Sequence, residues 1–144
     1  AGLRAAGRIY AGWAYSQPWL KAGRFRELGY VDLDDWLSRY WDGLFMARDA
    51  GDLIAMWRCW IGHDVADGGA LSAALGRITA RTVVATAKTD LYFTPADCAA
   101  DAALIPSATY QDIETDWGHM AGSGQSAADT RAINELIARL LNDG

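Results

Sequence analysis

TAKTDLYFTPADC, residues 86–98, and ETDWGHMAGSG, residues 114–124, each hold one residue that acid–base chemistry favours: Asp90 in the first and His119 in the second. Ahead of Asp90 runs RTVVATA (81–87), a β-branched apolar run without alternation. That is the pattern of a strand buried on both faces. After it, Thr94 can cap a helix, Pro95 suits the first helical position, and Asp97 sits three residues past the cap. The helix runs to about Leu104 and breaks at Pro106. ATYQDIE (108–114) reads as a second strand, residues 115–126 as a glycine-rich loop, and AADTRAINELIARLL (127–141) as a closing amphipathic helix. Strand, helix, strand, helix predicts a parallel pair joined by a right-handed crossover. Open parallel sheets gather ligands at the carboxyl ends of their strands. Asp90 and His119 are therefore expected on one rim, one strand apart. A carboxylate there can take the Nδ1 proton of an imidazole, fixing its tautomer and steadying its charged form. The glycines around His119 permit the turn that returns the ring over the sheet. The local evidence allows a second reading: Asp after a strand often only opens a helix turn, and a His in a loop is often only solvated.

Outward from this core, the first sixty residues read as helices. AGLRAAGRIYAGWAYSQ (1–17) has few breakers before Pro18, and a short helical stretch from about Pro18 to Leu28 stops at Gly29. In VDLDDWLSRYWDGLFMA (31–47), Leu33, Trp36, Leu37, Tyr40, Trp41, Leu44 and Phe45 follow the i, i+3, i+4, i+7 spacing of a buried stripe. Asp32 caps that helix, with Asp35 in its first turn. Asp49 caps the next, whose buried side is expected to carry Leu53, Met56, Trp57, Trp60 and Ile61. Residues 63–70 form a loop, and residues 70–78 a short helix ending at Gly76. The predicted fold class is α/β, with residues 1–69 a helical cap and 70–144 a piece of a parallel-sheet core. Two strands are too few for a parallel sheet, which needs neighbours on its edges and helices on its faces. The rest of the sheet is expected elsewhere, and a chain opening on Ala1, inside a helix, agrees with that.

A net charge of −5 with no basic run argues against a nucleic-acid surface. No apolar segment is long enough to span a membrane. Cys59 and Cys98 stand apart in sequence, which fits a reduced, cytoplasmic protein better than a disulfide framework. His63, Asp64 and Asp67 share a loop, but their spacing fits no strong metal-ligand pattern, and no metal is expected. Six of the seven tryptophans lie before residue 61. At helical spacing they read as core, or as an interface between caps.

TDLYFTPAD (89–97), followed by IPSATYQDIETDWGHMAG (105–122), resembles the end of the α/β-hydrolase fold, in particular its homoserine O-acetyltransferase-like branch. That branch has an Asp before a YFPP-like turn, then IP, a strand and GH. The likeness covers about residues 70–142, and the helices before it resemble the branch's cap. It implies a partial α/β-hydrolase fold: a helical cap followed by the last two parallel strands and their helices. In this superfamily the triad runs Ser, Asp, His, so the resemblance makes Asp90 the acid and His119 the base. The Ser occupies a G-x-S-x-G elbow, which this sequence lacks. GQSAA around Ser126 has no second glycine and follows the His; Ser123 is a loop residue. The nucleophile and its oxyanion hole are thus expected in a missing N-terminal segment.

In the cap, GRIYAGWAY (7–15) matches the branch's Arg and the Tyr seven residues beyond it. This implies that Arg8 and Tyr15, two turns apart on one helical face, hold substrate; on the residues alone they serve equally as a solvated charge and a packing side chain. One departure is Met120, where homoserine acetyltransferases often place an Asp to meet the substrate amine. A thioether cannot pair with an ammonium ion, so an ester hydrolase or another acyl acceptor stays open. The resemblance implies a small ester or thioester substrate and no bound cofactor, with acetyl-CoA a co-substrate only of a transferase. The other expectation is a non-catalytic module that associates, as a homodimer or with a partner, through its aromatic cap.

Overall fold

The computed structural model describes residues 1–142. Helix α1 (Gly2–Ala14) is followed by α2 (Gln17–Lys21), a 3-10 turn (Arg24–Leu28) closed by Gly29, and α3 (Leu33–Trp36). A π-helical segment (Leu37–Asp42) carries α3 into α4 (Gly43–Met46). Then come α5 (Ala50–Gly62), α6 (Leu71–Leu75), β1 (Thr82–Ala87), α7 (Pro95–Ala102), β2 (Ala108–Ile113), a 3-10 turn (Gly118–Ser123) and α8 (Ala127–Asn142). β1 and β2 pair in parallel, with Thr82 opposite Ala108 and Ala87 opposite Ile113.

The caps follow local chemistry. The Asp32 carboxylate accepts from the Asp35 N–H at 2.8 Å, Asp49 from Gly51 and Asp52, and Thr94 from Asp97. Each satisfies backbone donors that a helix start leaves orphaned.

The stripe over 31–47 divides. Trp36, Trp41 and Phe45 are buried, whereas Leu33 and Leu44 are exposed. The π segment is the cause. Its i→i+5 hydrogen bonding brings residues five apart into line, so Trp36 and Trp41 share a face that a regular α-helix would separate. Around them close Tyr15, Trp19, Phe25 and, from beyond β2, Trp117. Most of the rings meet tilted or edge-on, with centroids 4.0 Å apart for Tyr15–Trp19 and 5.6 Å for Trp19–Trp117, while Phe25 stacks on Trp36. Trp117 thereby inserts the loop after β2 into the helical half.

Two packing expectations need correction. No residue of α5 is fully buried: Leu53 and Trp57 rest partly on the core, while Trp60 and Ile61 stand out in solvent. Periodicity identifies the apolar side of a helix but not whether anything covers it. Likewise β1 is buried only at Thr86 and Ala87, because β2 is its one neighbouring strand among the described residues.

Candidate active site

The parallel register sends both strands out on one edge. β1 leaves through a tight turn in which the Asp90 N–H donates to the Ala87 carbonyl at 2.9 Å. Asp90 Oδ1 then accepts the N–H groups of Tyr92 at 2.7 Å and Phe93 at 3.1 Å. Its other oxygen, Oδ2, lies 3.1 Å from His119 Nδ1. The carboxylate is buried, and the imidazole is about one-third exposed, at 37%. Two backbone donors fix the carboxylate's rotation, so Oδ2 has only the ring to serve. A carboxylate accepts and does not donate, so Nδ1 carries a proton, and in the neutral ring Nε2 keeps its lone pair. Nε2 makes no hydrogen bond among the described residues. It is free to take a proton from a group placed beside it. Tyr92 packs edge-on to the imidazole at 4.8 Å and Phe93 lies at 5.5 Å, so the segment that grips Asp90 also walls His119.

His119 is positioned through Gly118. The Gly118 N–H donates to Thr89 Oγ1 at 3.2 Å, and that hydroxyl donates to the Thr115 carbonyl at 2.8 Å. Thr115 Oγ1 in turn donates to buried Asp129, and the Ser16 hydroxyl donates to the Asp116 carbonyl. Gly118 has φ +59°, and an added Cβ would lie 3.0 Å from Ser16 N and 3.1 Å from the Ala14 carbonyl. Left-handed backbone costs an L-residue about 1–2 kcal/mol, and here the obstructing atoms are backbone. Gly118→Ala is expected to lower stability by at least about that amount and to displace His119. Urea unfolding of the variant checks the loss; an unchanged midpoint would show that the loop relaxes freely.

His119 borders two cavities. One, of about 310 Å³, is mostly apolar, and its wall includes Tyr10, Tyr40, Trp41, Phe45 and Met120. The other, of about 300 Å³, lies against the sheet by Thr86, Asp90, Cys98 and Ile113, where burial pushes the Cys98 thiol up from its ordinary pKa. A larger polar hollow of about 550 Å³ lies among Arg24, Lys88, Glu114 and Asp129, and neither Asp90 nor His119 lines it.

The remaining sequence candidates have other surroundings. α1 ends at Ala14, and Tyr15 already has extended backbone, φ −114° and ψ 151°, so Arg8 and Tyr15 do not continue one helical face. Arg8 makes a two-pronged pair with Asp42, at 3.2 and 3.0 Å. Those hydrogen bonds hold the Asp42 carboxyl below its usual range and tie α1 to the π segment. Tyr15 is fully buried, its phenol pushed up by burial, and it donates to Gln125 Oε1. Neither residue lines a cavity that His119 borders. In this structure Arg8 ties α1 to the π segment and Tyr15 packs in the aromatic core. Ser126 is buried, its oxygen accepting from the Asp129 N–H at the start of α8, and Ser123 donates to the Met120 carbonyl. Asp64 folds its own loop, accepting from Ala66 and Gly68. Tyr92 and Phe93 as backbone donors to Asp90 were missed, although Asp two residues before a turn is the usual signal for such a bond. Gln125 gave no signal.

The chain is similar to a probable esterase of Corynebacterium glutamicum, 36% identical over 121 residues, covering 83% of this chain and 35% of that protein. It is 28% identical over 144 residues to an ethyl acetate hydrolase of Pseudomonas veronii, covering 99% of this chain and 41% of the relative. Among solved structures, the acetyl esterase MekB superposes with a TM-score of 0.92 at 28% identity, over 98% of this chain and 41% of its own. An acetylester hydrolase from Corynebacterium glutamicum gives 0.91 at 33%, over 96% and 40%. No protein-family model matches the chain. The fold is part of an α/β-hydrolase fold: a helical cap, then two parallel strands with their helices. The chain spans about two-fifths of the length of the relatives it matches. No described helix is long and apolar enough to cross a membrane.

Proposed function

We propose that these residues supply the acid and base of a Ser-Asp-His centre that hydrolyses small esters. The observation that carries the reading is the 3.1 Å contact between Asp90 and His119 at adjacent strand ends. Asp90 orients the ring and stabilises the imidazolium. His119 Nε2 takes the proton of a serine as it attacks the ester carbonyl, then returns it to the departing alcohol. In the second half-reaction it activates water against the acyl-enzyme. The serine and the oxyanion donors come from a segment that is not among these 144 residues. Residues 1–69 act as the cap and 70–144 as the closing part of the core, in the cytoplasm. No bound cofactor takes part. The esterase names of the similar proteins and Met120 favour water as acceptor over homoserine, and acetyl-CoA would enter only if an alcohol replaced water.

The test begins with the coding DNA just upstream, read for an in-frame strand ending in G-x-S-x-G. The protein spanning both parts is then assayed with p-nitrophenyl acetate and a serine-reactive phosphonate. Turnover and labelling of the upstream serine, both lost in His119→Ala, support the reading. Unchanged turnover in that variant sinks it.

A second reading, association through the cap, draws on the outward face of α5, where Ile54, Trp60 and Ile61 are exposed. Exposed apolar groups of this size favour a partner surface. The expected result is a concentration-dependent dimer in sedimentation velocity that Trp60→Asp abolishes. A monomer at every concentration excludes the homodimer.

A further inference from the structure

We propose that Tyr40 donates a hydrogen bond to an acceptor oxygen of the ligand in the apolar cavity beside His119, with the direction of its proton set by Tyr15 and Gln125. The proposal rests on the preceding reading only in taking that cavity as the substrate's seat. Three side chains far apart in sequence form a chain. The Tyr15 hydroxyl lies 2.6 Å from Gln125 Oε1, and Gln125 Nε2 lies 3.1 Å from the Tyr40 oxygen. The shorter separation suits O–H···O and the longer N–H···O.

Burial fixes the polarity. Tyr15 has no exposed surface, and Gln125 is its hydroxyl's one partner among the described residues. Turning the amide over would set the Tyr15 proton against an NH₂ group where water cannot reach it, with the full penalty of a buried unpaired donor. Tyr15 therefore donates, Gln125 accepts it and donates onward, and the Tyr40 oxygen receives. The proton of Tyr40 then has no acceptor among the described residues. Tyr40 is half-buried and lines the 310 Å³ cavity with His119 and Met120. Much of the remaining wall is aromatic or aliphatic, Trp41, Phe45 and Met56 among it. A small acyl compound suits such a wall: its hydrocarbon meets the rings and its oxygen takes the Tyr40 proton, with the Arg48 guanidinium on the same wall as a further donor.

The test titrates the 144-residue chain with acetophenone and with ethylbenzene, rings of similar size of which only the first has an oxygen. The indole N–H resonances of Trp41 and Trp57 report binding. Wild type is expected to bind both. Tyr40→Phe should weaken acetophenone about three- to tenfold, the range for one hydrogen bond, and leave ethylbenzene unchanged, which also shows that the variant is folded. Equal weakening of both probes, no effect on either, or no binding of either to wild type would overturn the proposal. None of these results bears on Asp90 and His119, which the ester assay tests separately. Discrimination by Tyr40 alongside a failed ester assay would support the donor and sink only the catalytic reading.

Discussion

Asp90→Asn is expected to lower kcat/KM toward p-nitrophenyl acetate by about 10⁴-fold, and His119→Ala by at least as much, with little change in KM. The protein to assay is the one that joins these residues to a serine elbow. The cause of the Asp90 effect lies in the two backbone donors. Tyr92 and Phe93 offer N–H groups that require an oxygen opposite them. In Asp90→Asn the amide oxygen must stay with that pair, which turns the NH₂ toward His119 Nδ1. Two donors cannot face each other, so the ring shifts its proton to Nε2. A neutral imidazole protonated at Nε2 cannot accept the serine proton. The tautomer is measurable without any nucleophile. In the 144-residue chain, ¹⁵N shifts of His119 at a pH where the ring is neutral should show the proton on Nδ1 in wild type and on Nε2 in Asp90→Asn. Identical tautomers, or an active Asp90→Asn enzyme, would rule out the orienting role.

Trp19→Ala is expected to cost about 3–5 kcal/mol, the range for emptying a large aromatic site in a core. Against a total stability of about 5–15 kcal/mol for a typical domain, that is a large fraction of the whole. Trp19 has no exposed surface and sits within ring contact of Tyr15, Phe25, Trp36 and Trp117. The loss should reach the site, because Trp117 is two residues from His119 and is held by the same cluster. Trp19→Phe should cost far less. The buried indole N–H of Trp19 has no partner among the described residues, as is also true of Trp36 and Trp41, so the smaller ring removes an unpaired donor while it loses area. Urea midpoints of the two variants check the pair. Equal losses would mean that the phenyl ring does not refill the site, since both variants delete the same N–H.

The contrast between local and distant determinants runs through the molecule. Asp32, Asp49 and Thr94 were legible as caps because each bonds an N–H two or three residues away, a distance that sequence spacing fixes. The β-branched run at 82–87, the second strand and their parallel order followed in the same way. Asp90 and His119 could be placed on one rim because a parallel register needs only that order. By itself, then, the sequence indicated which segments are helix and strand, where the helices begin, and which rim carries Asp90 and His119; that the two side chains meet was one of two readings the residues left open. Tertiary structure alone decided the rest. The π segment aligns Trp36 with Trp41 only because the aromatic core rewards that phase. The outer side of α5 stays bare because nothing described packs on it. Gly118 is confined by the backbone of Ala14 and Ser16, and Tyr40 receives its proton direction from Tyr15 through Gln125, 110 and 85 residues distant. Hydrogen-bond chains of that reach have no period and no fixed spacing. They exist only once hydrophobic burial has brought the segments together and excluded the water that would otherwise satisfy each group.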